Sequence, residues 1–226
     1  MTRIHYIYHS CFVVEDDHSL AVFDYWKDPF GRLLPLIDGT SKALYFVVSH
    51  FHHDHYNPII WNFPGAHVLV SYDTVKHHHV DRALPAAILR PGHGFSDANI
   101  ELSCYRSSDI GVCSALRLPD GTVCFHMGDC NNWYFPDDHG EQLKITPLQM
   151  EKLFLSIIRD VAADISQVDH LMFPVDPRLG PHTLRGLDQW LAKIPARHIY
   201  PMHYWDRPNE VRTLLLGRPN AVLSNL

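Results

Sequence analysis

The chain has 226 residues, 46% of them apolar, enough to bury a sizeable core, which excludes a disordered or fibrous protein. Nineteen Lys and Arg stand against 25 Asp and Glu, a net charge of −6 with no long basic run, which argues against general affinity for nucleic acid. The longest uninterrupted apolar run, Ala43 to Val48, is far shorter than the roughly 20 residues of a membrane span. Met1 to His9 has no apolar segment ahead of a cleavage site, so the expectation is a cytoplasmic protein with no signal peptide and no membrane partner.

Short runs rich in Val, Ile, Phe and Tyr predict strands at Arg3–Tyr8, Cys11–Glu15 and Ser19–Asp24, with an Asp-Asp-His turn at 16–18. Leu44–Ser49 is a continuous apolar run of the kind buried on both faces. Ala66–Ser71 is a further strand, after which Asp73 is placed to cap a short helix through His77-His78-His79. Ile100–Tyr105, Val112–Leu118 and Thr122–Met127 follow, the last two joined by the hairpin signal Pro119-Asp120-Gly121. After Gly140 the texture changes. Thr146-Pro147 suits an N-cap and first helical residue for a helix over Leu148–Val161. Strand Val168–Val175, helix Thr183–Lys193, strand His198–Met202 and a short helix after Pro208 complete the chain. Many strands first, then alternating strand and helix, predict an α/β four-layer αββα sandwich, two sheets face to face with helices outside. One domain over residues 1–226 is expected, with surface excursions at Pro29–Gly39 and Trp133–Gln142.

Histidine numbers 18, and imidazole is the commonest metal ligand. Asp outnumbers Glu 20 to 5, which favours turns and short-reach ligation. The five cysteines (Cys11, Cys104, Cys113, Cys124, Cys130) contain no C-x-x-C pair and lie mostly in apolar runs, so they read as reduced and structural.

The decisive segment is Ser49-His50-Phe51-His52-His53-Asp54-His55-Tyr56-Asn57-Pro58, directly after a buried strand. In extended chain, residues two apart point to the same side, so His50 and His52 can grip one ion. Asn57-Pro58 then opens a helix, leaving Asp54 and His55 in the turn, able to hold a second ion. At this composition, H-x-H-x-D-H would arise by chance in about 1% of such chains, so the signal is strong.

This motif resembles that of the metallo-β-lactamase fold superfamily. The other landmarks fall in the order the resemblance implies: Val22-Phe23-Asp24, Gly128-Asp129 and Pro201-Met202-His203. The short length, His9-Ser10-Cys11-Phe12 and the Pro-Met-His ending look most like the ascorbate-6-phosphate-lactonase-like hydrolases. By resemblance, His50 and His52 would bind one metal; Asp54, His55 and His203 would bind a second. Asp129 would bridge both, and Asp24 would support the loop from behind. Two such cations can hold a bridging hydroxide as nucleophile and polarise the electrophile.

One element departs from the pattern. The family usually supplies a third first-metal histidine, whereas this chain has Tyr105-Arg106-Ser107-Ser108-Asp109-Ile110-Gly111 there. Asp109 is the ionised oxygen donor expected to replace it, with His93 as the alternative. The cofactors expected are two divalent metal ions, zinc first, with manganese or iron admitted by the harder ligand set. Asp54, Asp129 and His9 are the candidate catalytic residues, His9 through a substrate contact or support of a ligand. His77-His78-His79 reads as solvated surface, and His126, His170 and His198 as structural. Tyr25-Trp26, Asn132-Trp133-Tyr134 and Tyr204-Trp205 follow site strands and are candidate pocket walls, with Arg178 and Lys27 placed to meet an anionic group.

The leading function is a metal-dependent hydrolase with a dinuclear site, acting on a small ester, lactone or phosphodiester. The competing readings are a non-haem iron oxidoreductase of the thiol-dioxygenase kind and a non-catalytic metal-binding protein. The partner expected is a small-molecule substrate, with an anionic one accommodated and no nucleic acid.

Overall fold

A computed structural model describes residues 1–80, 86–135 and 145–224. The meander β1 (Arg3–Tyr8), β2 (Cys11–Glu15) and β3 (Ser19–Phe23) is antiparallel throughout. β4 (Ala43–Val48), β5 (His67–Ser71) and β6 (Ala86–Leu89) then add in parallel, giving a six-stranded sheet in sequence order. A second six-stranded sheet is antiparallel through β7 (Phe95–Ser96), β8 (Glu101–Arg106), β9 (Val112–Arg117) and β10 (Val123–His126). It ends in the parallel pairings of β11 (Val168–Pro174) and β12 (Ala196–Met202). The helices are α1 (Leu34–Ile37), α2 (Tyr72–His77), α3 (Pro147–Asp164), α4 (Arg185–Leu191) and α5 (Pro208–Leu215).

Strand alternation explains the layers. Phe12, Val14, Ala21, Phe23, Tyr45 and Val47 share one core with Leu102, Cys104, Cys113 and Ala115 of the other sheet. The intervening residues, Cys11, Val13, Leu20, Val22, Phe46 and Val48, face the opposite way and pack with Leu33, Tyr56 and Ile60. On the far side α3 and α4 bury Phe154, Ile157, Val161, Leu187 and Trp190. This is the expected αββα order. None of the described helices is long and apolar enough to cross a membrane.

Local chemistry sets the boundaries. Thr146 and Gln149 form a reciprocal capping box with Pro147 in the first turn, and α3 runs on to Asp164, one turn-length past the expected end. Asn57 caps a 3-10 turn over Pro58–Asn62. At the β9–β10 hairpin Gly121 takes φ +87 and donates to the Leu118 carbonyl at 2.9 Å.

Two expectations are corrected. Asp73 is not the cap of α2. Ser71 holds that position, the helix ends at His77, and Asp73 instead accepts the Phe51 N–H at 3.0 Å. The Pro29–Gly39 excursion is mostly exposed, as expected, although it contains α1 and buries Leu33. Trp133, the start of the second excursion, is buried, because its indole donates to the Asp129 carbonyl at 2.7 Å; positions 136–142 lie outside the described residues. β6 and β7 are additions to the predicted set.

Candidate metal centre

Topology brings the motif residues to one edge. Asp24 follows β3, the His50–His55 loop follows β4, Asp129 follows β10, and His203 follows β12. β1 lies two antiparallel steps from β3, and β8 two from β10, so the turns carrying His9 and Asp109 reach the same ends as those parallel strands. Ligand sites of α/β sheets gather at such carboxyl ends.

Three groups result among the described residues, each with ligand atoms all within 4.8 Å of one another: the clusters His50, His52, Asp109, Asp129 and His9, Asp54, His55, His203, and behind them Asp24 with His50 and His55. Asp129 stands between the two clusters. Its Oδ2 is 3.4 Å from His50 Nε2, while its Oδ1 is 3.1 Å from His55 Nε2 and 3.5 Å from His203 Nε2. In the first cluster His50 Nε2 and His52 Nδ1 lie 3.0 Å apart, and His52 Nδ1 is 4.0 Å from Asp109 Oδ2. In the second, Asp54 Oδ2 is 3.3 Å from His9 Nε2, 3.7 Å from His203 Nε2 and 3.8 Å from His55 Nε2. His50, His52, Asp54, His55, Asp109, Asp129 and His203, the ligands expected from the sequence, each fall in one of the two clusters, as does His9. His93 does not; it lies in an exposed turn bridged to Arg90.

The ring orientations are fixed from behind, as metal-bound histidines require. Buried Asp24 accepts the Ser49 N–H, the Ser49 hydroxyl and His55 Nδ1, each at 2.7 Å. Ser49 Oγ lies 2.9 Å from His50 Nδ1. Asp176, which the sequence reading did not single out as a site residue, accepts from His203 Nδ1 at 3.1 Å. Strain gathers here as well: His9, Asp24, His203 and Trp205 all take positive φ, between 47° and 58°. Gly111 permits the 107–111 turn to close on the site, because a Cβ there would stand 2.1 Å from the Ser49 carbonyl oxygen.

The electrostatics fit cations. Buried His9 Nε2, His55 Nε2 and Asp129 Oδ1 have no hydrogen-bond partner among the described residues, although they point into one cluster. Such atoms are costly to bury unless something satisfies them. Burial alone would depress His203, yet the Asp129 carboxylate and then Asp176 hold it up at about 9. His55 is likewise driven up against its burial, by Asp129 and Asp24. Burial depresses His9 to about 4 despite Asp54, so it is a neutral donor at physiological pH. Asp109 is pushed up by burial and then by the Asp129 charge, a repulsion that a cation between the two carboxylates would relieve.

Above the clusters lies a cavity of about 380 Å³, walled by Trp133, Phe135 and Trp205 and floored by Asp54, Asp129 and His203. Tyr25 and Tyr204 turn into the core instead, and Lys27 lies over Trp26 at 3.8 Å. A larger groove of about 610 Å³, along α3 and β8, shares no residue with the site. His126 stacks on Phe23 and contacts the Ser10 carbonyl oxygen at 2.9 Å, outside both clusters. His77 and His78 are exposed, but they brace the His50–His55 loop, His77 stacked on Phe51 and His78 2.7 Å from the Phe51 carbonyl oxygen.

No protein-family model matches the chain, and no curated protein matches it in sequence. Solved structures do. Igni18, described as a novel metallo hydrolase from the hyperthermophilic archaeon Ignicoccus hospitalis, is similar with a TM-score of 0.65 at 16% identity, over 97% of this chain and 92% of that one. The metallo-β-lactamase fold protein YhfI from Bacillus subtilis is similar with a TM-score of 0.55 at 11% identity, over 91% and 84%. CmlA, a diiron β-hydroxylase from Streptomyces venezuelae, gives 0.60 at 12% identity, over 89% of this chain but only 44% of CmlA. The chain has the metallo-β-lactamase fold.

Proposed function

We propose that this protein is a metal-dependent hydrolase with a dinuclear centre, acting on a small ester, lactone or phosphodiester. The observation that carries the reading is the division of Asp129, one oxygen toward each His/Asp cluster. His50, His52 and Asp109 would hold one ion, His9, Asp54, His55 and His203 the other, with Asp129 shared. Bound there, two divalent cations supply a water ionised near neutral pH and a Lewis acid for the electrophile. Asp24, Ser49 and Asp176 hold the imidazole rings in position. Asp54, whose Oδ2 is 3.3 Å from His9 Nε2 and whose Oδ1 is 3.9 Å from exposed His53 Nδ1, would accept the proton of the attacking water. Trp133, Phe135 and Trp205 limit bulk water over the reacting bond. His9-Ser10-Cys11-Phe12 and Pro201-Met202-His203 support placement in the ascorbate-6-phosphate-lactonase-like branch, with zinc first and manganese or iron as alternatives.

The test is hydrolysis of 4-nitrophenyl butyrate and bis(4-nitrophenyl) phosphate by metal-free and metal-reconstituted protein, with metals counted per chain. Metal-dependent turnover at close to two ions per chain is expected; hydrolysis that survives chelation overturns the reading. One observation favours a second reading. His50, His52 and Asp109 form a two-histidine, one-carboxylate set suited to iron, and a diiron hydroxylase shares the fold. Iron-loaded protein that consumes oxygen with a thiol substrate, and hydrolyses neither ester, would favour it.

A further inference from the structure

Among the described residues that line the pocket, one is cationic and of the Lys/Arg kind, Arg178. It sits in the 3-10 turn that opens after β11, where Asp176 caps the turn by accepting the Arg178 N–H at 2.9 Å. The same carboxylate takes the guanidinium edge-on: Nε donates to Oδ1 at 3.0 Å and to Oδ2 at 2.9 Å, and Nη2 to Oδ2 at 2.5 Å. The guanidinium also lies over the Trp205 ring at 5.2 Å. Two restraints therefore fix the plane of the fork before anything binds, which removes most of the ordering cost of using it.

Arginine has five N–H donors, and Asp176 occupies only the Nε–Nη2 edge. Among the described residues nothing is bonded to Nη1. The side chain is 49% exposed while Asp176 is fully buried, so the fork is anchored at its inner edge and open at its outer one. Arg178 itself is among the residues that line the cavity. Trp133, Phe135 and Trp205 supply apolar surface along the same wall, suited to a short carbon skeleton.

We propose that Arg178 is the anion anchor of this pocket, selecting a small substrate that bears a carboxylate or phosphate away from the bond that reacts. The proposal rests on the reading of this cavity as the substrate site of a metal-dependent hydrolase. Both anions match a guanidinium fork, and pairing one with Arg178 leaves the reactive end of the molecule toward Asp129.

The experiment is calorimetric binding of glutarate, 4-phosphonobutyrate and butyrate to the metal-loaded protein, where no turnover is needed. The wild type should bind one of the two longer anions at least about tenfold more tightly than butyrate, the scale of one charge-assisted hydrogen bond. Whichever of the two is preferred identifies carboxylate or phosphate. Arg178→Gln keeps a donor for Asp176 while removing the charge, so it should retain both metals yet lose that preference. Arg178→Met, measured alongside, should lose it too. Equal affinities in the wild type overturn the anchor, as does a preference that persists in Arg178→Gln. A fall of equal size for all three ligands in Arg178→Gln also overturns it, by showing a positioning role only. Protein that shows the preference but hydrolyses no ester overturns the function and leaves the anchor standing.

Discussion

The two ligand clusters differ in how the protein holds them. The one formed by His9, Asp54, His55 and His203 is buried throughout, and two of its rings are propped by Asp24 and Asp176. In the other, only His50 and Asp129 are buried, while the side chains of His52 and Asp109 are 40% and 36% exposed at the rim. A buried, pre-set cluster loses little freedom when it closes on a cation. A rim cluster must order two side chains and compete with water. The inner site should therefore fill first and hold its ion longer, and the rim site should exchange.

The harshest way to break this comparison is to remove the residue common to both sides. Asp129→Ala should empty both sites, lower the melting temperature in the presence of metal, and reduce the metal-dependent rate on the order of a thousandfold. His52→Ala should empty only the rim site. Wild-type metal content and rate in either variant would show that the clusters are misassigned. Asp109 sharpens the same contrast. Asp109→Asn should leave about one ion per chain and a rate lowered roughly a hundredfold, since an amide ligates far more weakly than a carboxylate. Asp109→His should restore binding and shift preference toward zinc. Two retained ions in Asp109→Asn would reduce Asp109 to a turn residue.

The inner cluster is tested through its support. Asp176→Asn removes the negative charge and one of the two oxygens that orient His203 and hold Arg178, and should weaken inner-site affinity by about 10–100-fold while leaving the rim site's ratio of metals unchanged. The pH dependence comes next in size. In the metal-free fold His203 is held near 9, above the ordinary histidine value of about 6.5. That raised group stabilises the metal-free protein fully below about pH 6.5 and loses its contribution as pH rises through 9. Metal needs the neutral ring, so binding must expel this proton, and that of His55, which is also raised. The gain in melting temperature on adding metal should thus grow from pH 6.5 to 9, with affinity rising about tenfold per pH unit for each proton expelled. Calorimetry in buffers of different ionisation enthalpy counts those protons; none released at pH 7.5 would contradict the arrangement.

What could be read beforehand divides along the same line. Contiguous signals survived folding: the apolar run before His50 became β4, and H-x-H-x-D-H became parts of both clusters, because neighbours in sequence on one turn stay neighbours in space. β6 escaped because Ala86-Ala87-Ile88-Leu89 has little β-branched character, and β7 because it is two residues long. Asp176 escaped for a different reason. Its partnership with His203 depends on the parallel register that sets Pro174 opposite Met202, which no local pattern announces. Trp133 is expected both in a surface excursion and among the pocket walls; its indole bond to the Asp129 carbonyl buries it at the cavity wall, which corrects the first expectation and bears out the second.

The smallest effect should come from Cys130, although it is adjacent to the residue with the largest. Side chains of neighbouring residues diverge, and Cys130 is fully buried in the core shared by the two sheets, with its N–H donated to the Met127 carbonyl at 2.9 Å. Ser108 Oγ approaches its sulfur at 3.7 Å. It belongs to neither His/Asp cluster. Cys130→Ser should keep both metals and change the rate by less than about threefold, at a stability cost of about 1–2 kcal/mol for burying a hydroxyl in place of a thiol, softened because Ser108 offers a partner. A loss on the order of a thousandfold with both ions still bound would assign the thiolate a chemical role and move the reactive centre off Asp129. Asp129→Ala and Cys130→Ser, assayed side by side for metals and rate, thus measure how sharply the site ends within a single peptide unit.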